Sequence, residues 1–195
     1  LESDSTAAQS SGNQAISSFN SNGFTLNADP SNGNWNYSTA DYISWTFRKA
    51  AKFFDVVTYT GNGVAGRQIA HNLGVAPGMI IIKNTGASTP WLVYHRSIGS
   101  TGGVTLNTTN SASTYGAVDW WGDFGGTTPP TASVFTTDGD AKGGNTNGTG
   151  STYVAYLFAS CPGVSSVGSY TGTGATQTIN CGFTGGARLV LIKRT

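Results

Sequence analysis

The chain has 195 residues with a formal net charge of +1; 28 residues are glycine, 11% are aromatic and only 10% are charged. Charge this sparse excludes an electrostatic grip on nucleic acid, which needs clustered Lys and Arg, and the aromatic content is unlike that of a disordered chain. Apolar runs fall well short of the roughly 18 residues of a membrane span, so no membrane insertion is expected.

In chain order, the first strong element is Tyr42-Ile43-Ser44-Trp45-Thr46-Phe47-Arg48. It alternates, with Ile43, Trp45 and Phe47 on one face, and predicts a half-buried strand. Phe53 to Tyr59 predicts the next strand, ending at a Thr-Gly-x-Gly turn where glycine tolerates positive φ. Met79-Ile80-Ile81-Ile82 is a continuous apolar run, expected as a central strand covered on both faces and closed at the surface by Lys83. Trp91 to His95 predicts another strand and Gly99 to Gly103 a turn. Tyr115 to Pro130, rich in Gly and Trp and ending in Pro129-Pro130, predicts a stiff loop. Tyr153 to Phe158, Val164 to Tyr170 and Leu189-Val190-Leu191-Ile192 complete the set, with Lys193 after the last. About a dozen short strands without a helix predict an all-β fold, a two-layer antiparallel β-sandwich (jelly-roll or lectin-like).

The chain also repeats itself. Residues 21–63 lie over 132–174 at an offset of 111, so that Phe24-Thr25 falls on Phe135-Thr136, Asn36 on Asn147, Tyr42 on Tyr153 and Phe47 on Phe158. Tyr59-Thr60-Gly61-x-Gly63 falls on Tyr170-Thr171-Gly172-x-Gly174; one residue is then lost, and Ile82-Lys83 meets Ile192-Lys193. Leu1 to Ala7 resembles Leu106 to Ala112. The expected organisation is a first repeat over 1–83, a connecting strand and turn over 84–105, and a second repeat over 106–195, with the pseudo-repeated halves stacked into one body. Ile80, Ile82, Leu189, Leu191, Phe47 and Phe158 are expected to be buried. The opening Leu1-Glu2-Ser3 reads as a piece of a longer polypeptide.

Repetition separates what the fold needs from what a single site needs. Cys161 and Cys181 match Ala50 and His71, so they belong to no shared scaffold. A disulfide between them stays open, with two buried free thiols the preferred reading. His71 is matched by Cys181 and His95 stands in a strand pattern, which favours structural roles. Asp119, Asp123, Asp138 and Asp140 are a local acid grouping of the kind glycoside hydrolysis uses. Asp138-x-Asp140 with Asn145 faintly resembles a calcium loop, but Asn27-x-Asp29 and Asn34 echo it, which favours turn-forming roles. No catalytic residue, metal ligand or cofactor is assigned. Trp91, Tyr115, Trp120, Trp121 and Asp123 are the candidate ligand-binding residues. Aromatic faces stack on sugar C–H groups and a carboxylate takes hydroxyls; the competing reading has the rings capping one end of the sandwich.

Three segments carry a family resemblance. They are Thr46-Phe47-Arg48-Lys49-Ala50-x-x-Phe53-Phe54-Asp55-Val56-Val57-x-Tyr59-x-Gly61-x-Gly63; Ile69-x-His71-x-Leu73-Gly74-x-x-Pro77-Gly78-Met79-Ile80-Ile81-Ile82-Lys83; and Tyr153-Val154-Ala155-Tyr156-x-Phe158-Ala159. Together they resemble a β-rich repeat of marine bacteriophage virion proteins, tail-fibre-like, that often neighbours concanavalin-like or laminin-G-like lectin modules. The resemblance implies a virion setting and a β-sandwich, and no catalytic residues. The expected function is a non-enzymatic module of a virion appendage, presenting loops for host-surface glycan recognition. Its expected partners are other virion proteins or copies of itself, as a homo-oligomer, and a host cell-surface glycan. The competing classes are a glycan-degrading enzyme using acids near Asp119 and Asp123, and a ligand-free spacer or capsid decoration. One further expectation concerns Leu189 to Thr195, which lacks a following strand equivalent to Trp91–His95. That edge should pair with another copy unless Leu1 to Ala7 folds back to cap it.

Overall fold

The computed structural model describes residues 1, 5–9, 15–29, 35–114, 121, 128–139 and 145–195. The described residues form ten strands and no helix, and every pairing is antiparallel. The strands are β1 (Ile16–Asn20), β2 (Gly23–Leu26), β3 (Phe54–Thr60), β4 (Arg67–Ala70), β5 (Met79–Asn84), β6 (Leu92–His95), β7 (Gly102–Thr105), β8 (Ser113–Thr114), β9 (Val134–Thr137) and β10 (Thr152–Phe158). The chain divides into two compact units, residues 9–47 and residues 1–8 with 48–195. In the smaller unit β1 and β2 form a hairpin, with Phe19 opposite Phe24.

The larger unit is a β-sandwich. Its main sheet runs β3-β10-β5-β6-β7-β8, and the ribbon β4–β9 forms the second layer. β5 is the central strand that its uninterrupted apolar run predicts: Ile80, Ile81 and Ile82 are all buried. Because side chains alternate across a strand, β5 divides its residues between two cores. On one face Ile80 and Ile82 pack with Leu92, Tyr94, Ala155 and Leu157 under Ile69 of β4 and Phe135 of β9. On the other, Ile81 packs with Trp91, Val93 and Val104, with Met79, Tyr156 and Phe158 at its margin. Full burial of one such aliphatic side chain contributes roughly 1.5–3 kcal/mol.

β10 occupies the slot between β3 and β5, with Leu157 opposite both Asp55 and Ile80, and Tyr153 opposite both Tyr59 and Asn84. The Tyr59 and Tyr153 rings stack at 5.1 Å. At the far end of this pair, Gly61 is required by close approach. A β-carbon there would lie 2.0 Å from the Gly148 carbonyl oxygen, so only glycine lets the two backbones meet.

Several sequence expectations are corrected. Tyr42 to Arg48, Val164 to Tyr170 and Leu189 to Ile192 form no strand. Phe47, Leu189 and Leu191 are exposed, and Phe158 is only half-buried. Apolar periodicity reports a capacity for burial, but a strand forms only where a partner completes its ladder. In the larger unit β10 of the second repeat takes the one slot beside β3 and β5 of the first. The compact unit is therefore out of phase with the 1–83, 84–105 and 106–195 division: a repeat fixes a period but not where its structural unit starts. Lys83 does not close β5 at the surface. It is fully buried, and its Nζ donates to the carbonyls of Thr6, Asn84 and Ala87 at 3.2, 2.8 and 3.1 Å. Burial lowers its pKa. Both cysteines are free, as preferred from the sequence, yet not buried: Cys181 is exposed and Cys161 half-exposed.

Candidate functional site

Two of the five candidate ligand residues, Trp91 and Trp121, lie among the described residues, and both are interior. Trp91 precedes β6; its indole N–H donates to the Ser5 carbonyl at 3.1 Å, and its ring stacks on Tyr156 at 6.4 Å. Trp121 bridges to Thr137 at the end of β9 and meets Tyr94 edge-on at 5.7 Å. At 6% and 2% exposure neither ring presents a face to a sugar. Trp91 packs in the core with Ile81, Val93 and Val104, and Trp121 in the other core with Ile69, Tyr94 and Phe135. Trp120, Tyr115 and Asp123 lie outside the described residues, as do Asp119 and Asp140.

Asp138 and both histidines have partners within the chain. Asp138 is buried, and its own N–H donates to the Thr146 hydroxyl at 3.3 Å. Among the described residues no three His, Cys, Asp or Glu side chains converge. His71 is buried against Phe135, its Nδ1 accepting the Leu73 N–H at 3.2 Å. Burial lowers its pKa, against opposing effects from the Thr131 backbone and Asp55. His95 is half-buried, and its Nδ1 accepts the Ser97 N–H at 3.2 Å.

The structure adds two polar centres to which the sequence analysis assigned no role. The first is at the start of β3, where Asp55 is buried and forms an ion pair with Lys49 at 2.6 Å. It also accepts the N–H groups of Asn72 at 2.8 Å and Val56 at 2.9 Å. Burial pushes its carboxyl up, but these donors and the lysine charge outweigh it, and the pKa lies below the ordinary carboxylate value. Lys49, Ala50, Ala51, Phe54, Asp55 and Asn72 line a shallow cleft of about 220 Å³ here. These three donors, Lys49 and the N–H groups of Val56 and Asn72, are what hold the carboxylate in place.

The second centre is Asn147, which is fully buried. Its amide donates to Asn62 Oδ1 and to the Val64 carbonyl, each at 2.9 Å, and its oxygen accepts from the Asn62 N–H at 3.1 Å and Arg67 at 3.0 Å. Tyr59 and Tyr153 extend the network, one donating to the Thr146 carbonyl at 2.6 Å, the other accepting the Gly148 N–H at 2.8 Å. The signal for it was in the repeat, since Asn147 and the Gly61-x-Gly63 turn both recur in the other copy at Asn36 and Gly172-x-Gly174. Both atoms of the Asn147 amide are matched, so the network ties the turn that follows β3 to the stretch that leads into β10.

Each compact unit also carries an exposed apolar run. Ile43 and Trp45 are 88% and 75% exposed, and Leu189, Val190, Leu191 and Ile192 lie between 53% and 66%. Such runs mark interaction surfaces.

The chain belongs to the family described as a domain of unknown function, DUF7483, which matches residues 1–195. No curated protein and no solved structure matches the chain.

Proposed function

We propose that this chain is a non-enzymatic structural module of a bacteriophage virion appendage, a tail-fibre-like part that assembles with copies of itself or with other virion proteins. The observation that carries the reading is the mismatch between repeat and compact unit. The main sheet takes β3 and β5 from the first copy and β10 from the second, so successive copies are sewn together by shared strands. Interlocked repeats suit an extended, load-bearing part, and the resemblance of Thr46–Gly63, Ile69–Lys83 and Tyr153–Ala159 to virion repeats supports the setting. Host-glycan recognition by the stretch from Tyr115 to Pro130, which the sequence reads as a loop, with Trp120, Tyr115 and Asp123 as the contacts, is part of the proposal. Trp91 and Trp121 serve it as packing rather than as contacts.

The setting is tested by peptide mass spectrometry and antibody labelling of purified particles. Labelling confined to an appendage supports the reading, and absence of the chain from particles overturns it. A glycan array with the intact chain and with Trp120→Ala tests recognition separately. Binding lost on substitution supports display of a receptor site, no binding leaves a spacer, and release of sugar product from a polysaccharide replaces the proposal with an enzyme.

A further inference from the structure

We infer that residues 164–170 and 189–193 form an incomplete sheet that accepts Tyr42–Phe47 of a second copy of this chain as its missing central strand. The inference does not depend on the virion setting. It rests on applying the repeat to the pairings of the main sheet.

β10 lies between β3 and β5. Its counterpart in the other repeat is Tyr42–Phe47, and the counterparts of β3 and β5 are residues 165–171 and 189–194. The sheet seen in the first copy thus prescribes a second one, with both flanks in the second copy and the central strand in the first. Carried across, the register of Leu157 with Asp55 and Ile80 sets Thr46 opposite Ser166 and Val190. That of Tyr156 sets Trp45 opposite Val167 and Leu191.

The acceptor is already prepared. The turn that launches β3 bridges Ala50 to Phe54, and the same bridge joins Cys161 to Ser165 ahead of the acceptor. Lys52 at φ 65° in the first turn is matched by Gly163 at φ 74° in the second. Lys83 holds the Thr6 carbonyl, and Lys193 holds the Thr108 carbonyl in the matching stretch. What is missing is the strand. A β-carbon on Gly61 would strike Gly148, whereas one on Gly172 would meet nothing within 4 Å. The close approach that Gly61 makes is left unmade at Gly172.

The donor fits. Tyr42–Phe47 carries no charge, and its alternation puts Ile43, Trp45 and Phe47 on the side where β10 has Val154, Tyr156 and Phe158. It lies outside every sheet with Ile43 and Trp45 almost wholly exposed, while Leu189–Ile192 of the same chain is also exposed. Ile43, Trp45 and Leu189–Ile192 are apolar and exposed, and a second copy supplies each run with the partner strand that the repeat prescribes for it. Joining donor to acceptor is strand addition, with backbone hydrogen bonds for affinity and alternate side chains for register. The contact is heterologous, so it propagates head to tail unless the rotation closes.

Proline removes a ladder N–H, so Thr46→Pro disables the donor and Leu191→Pro the acceptor. Both positions lie outside the main sheet, whose thermal unfolding reports that each variant is folded. In sedimentation velocity the unaltered chain should run larger than a monomer, each variant alone as a monomer, and an equal mixture as a species containing one of each. A monomeric unaltered chain at about 100 µM, or variants that still self-associate alone, overturns the inference; so does a mixture that stays monomeric. As a second measurement, Thr46→Cys with Val190→Cys, on a Cys161→Ala, Cys181→Ser background, should yield chains linked through disulfides on a non-reducing gel. A disulfide closed within one chain, or none, refutes the second-copy occupant.

Discussion

Gly61 and Gly148 are in backbone contact: a β-carbon on Gly61 would sit 2.0 Å from the carbonyl oxygen of Gly148. The matching glycine of the other repeat, Gly172, has open space in the same direction. One glycine therefore serves a contact within the chain, and its twin is spare in the isolated molecule.

The two should respond differently to the same substitution. Gly61→Ala forces backbone apart and is expected to cost roughly 1–3 kcal/mol, the usual range for overpacking. Gly172→Ala should fall within about 0.5 kcal/mol, as surface changes do. Urea unfolding of both variants checks this, and equal losses would contradict the geometry.

The apolar runs of the two repeats should separate in the same way. Ile82 is fully buried between β6 and β10, so Ile82→Ala should cost roughly 2–5 kcal/mol. Leu191→Ala, at a position 62% exposed, should cost less than about 0.5 kcal/mol in the dilute chain. Denaturant midpoints at low concentration give the comparison.

Asp55 predicts acid sensitivity. Its pKa is lowered in the folded state, so its contribution is fully present above the unfolded value and is lost as pH falls below about 4. Asp55→Asn should flatten stability against pH in that window. Lys49→Met should cost no more than about 1 kcal/mol, because the ammonium is largely in water. A large loss from Lys49→Met alone would mean the ion pair outweighs the two backbone donors.

His71 predicts a second, higher step. Burial favours its neutral form, so stability is complete above about pH 6.5 and is lost as pH falls from there toward the lower folded-state value. His95 carries a shift in the same direction, caused by burial and the Arg96 charge. His71→Gln should remove part of the slope below about pH 6.5 and His95→Gln a further part, read from thermal midpoints across the range.

Reductant should not matter. Cys161 and Cys181 are free, and their counterparts Ala50 and His71 serve the first repeat without sulfur. Melting temperatures with and without reductant should agree within about 2 °C, and a shift of many degrees would reveal a disulfide.

Local pattern alone determined the all-β class, the central place of Met79–Ile82, the strands at β3, β6 and β10, and the Thr-Gly-x-Gly turn. Each is written in a run of neighbours: alternation, an uninterrupted apolar stretch, or glycine spacing. The repeat was equally legible. What the sequence left undecided was which copy of a strand fills which slot. Tyr42–Phe47 alternates and Tyr153–Phe158 is apolar on both faces, which ranks the second as the more deeply buried, but does not tell that the first lies exposed while the second is locked between β3 and β5. Pairing depends on non-local ladders, whose partners no local window contains. Burial of Trp91 and Trp121 was hidden for the same reason, because an aromatic suits a core as well as a sugar. Lys83 shows the limit most plainly. A lysine after an apolar strand belongs in water until Thr6, Asn84 and Ala87 bring three carbonyls to its ammonium, and only the folded chain places them there.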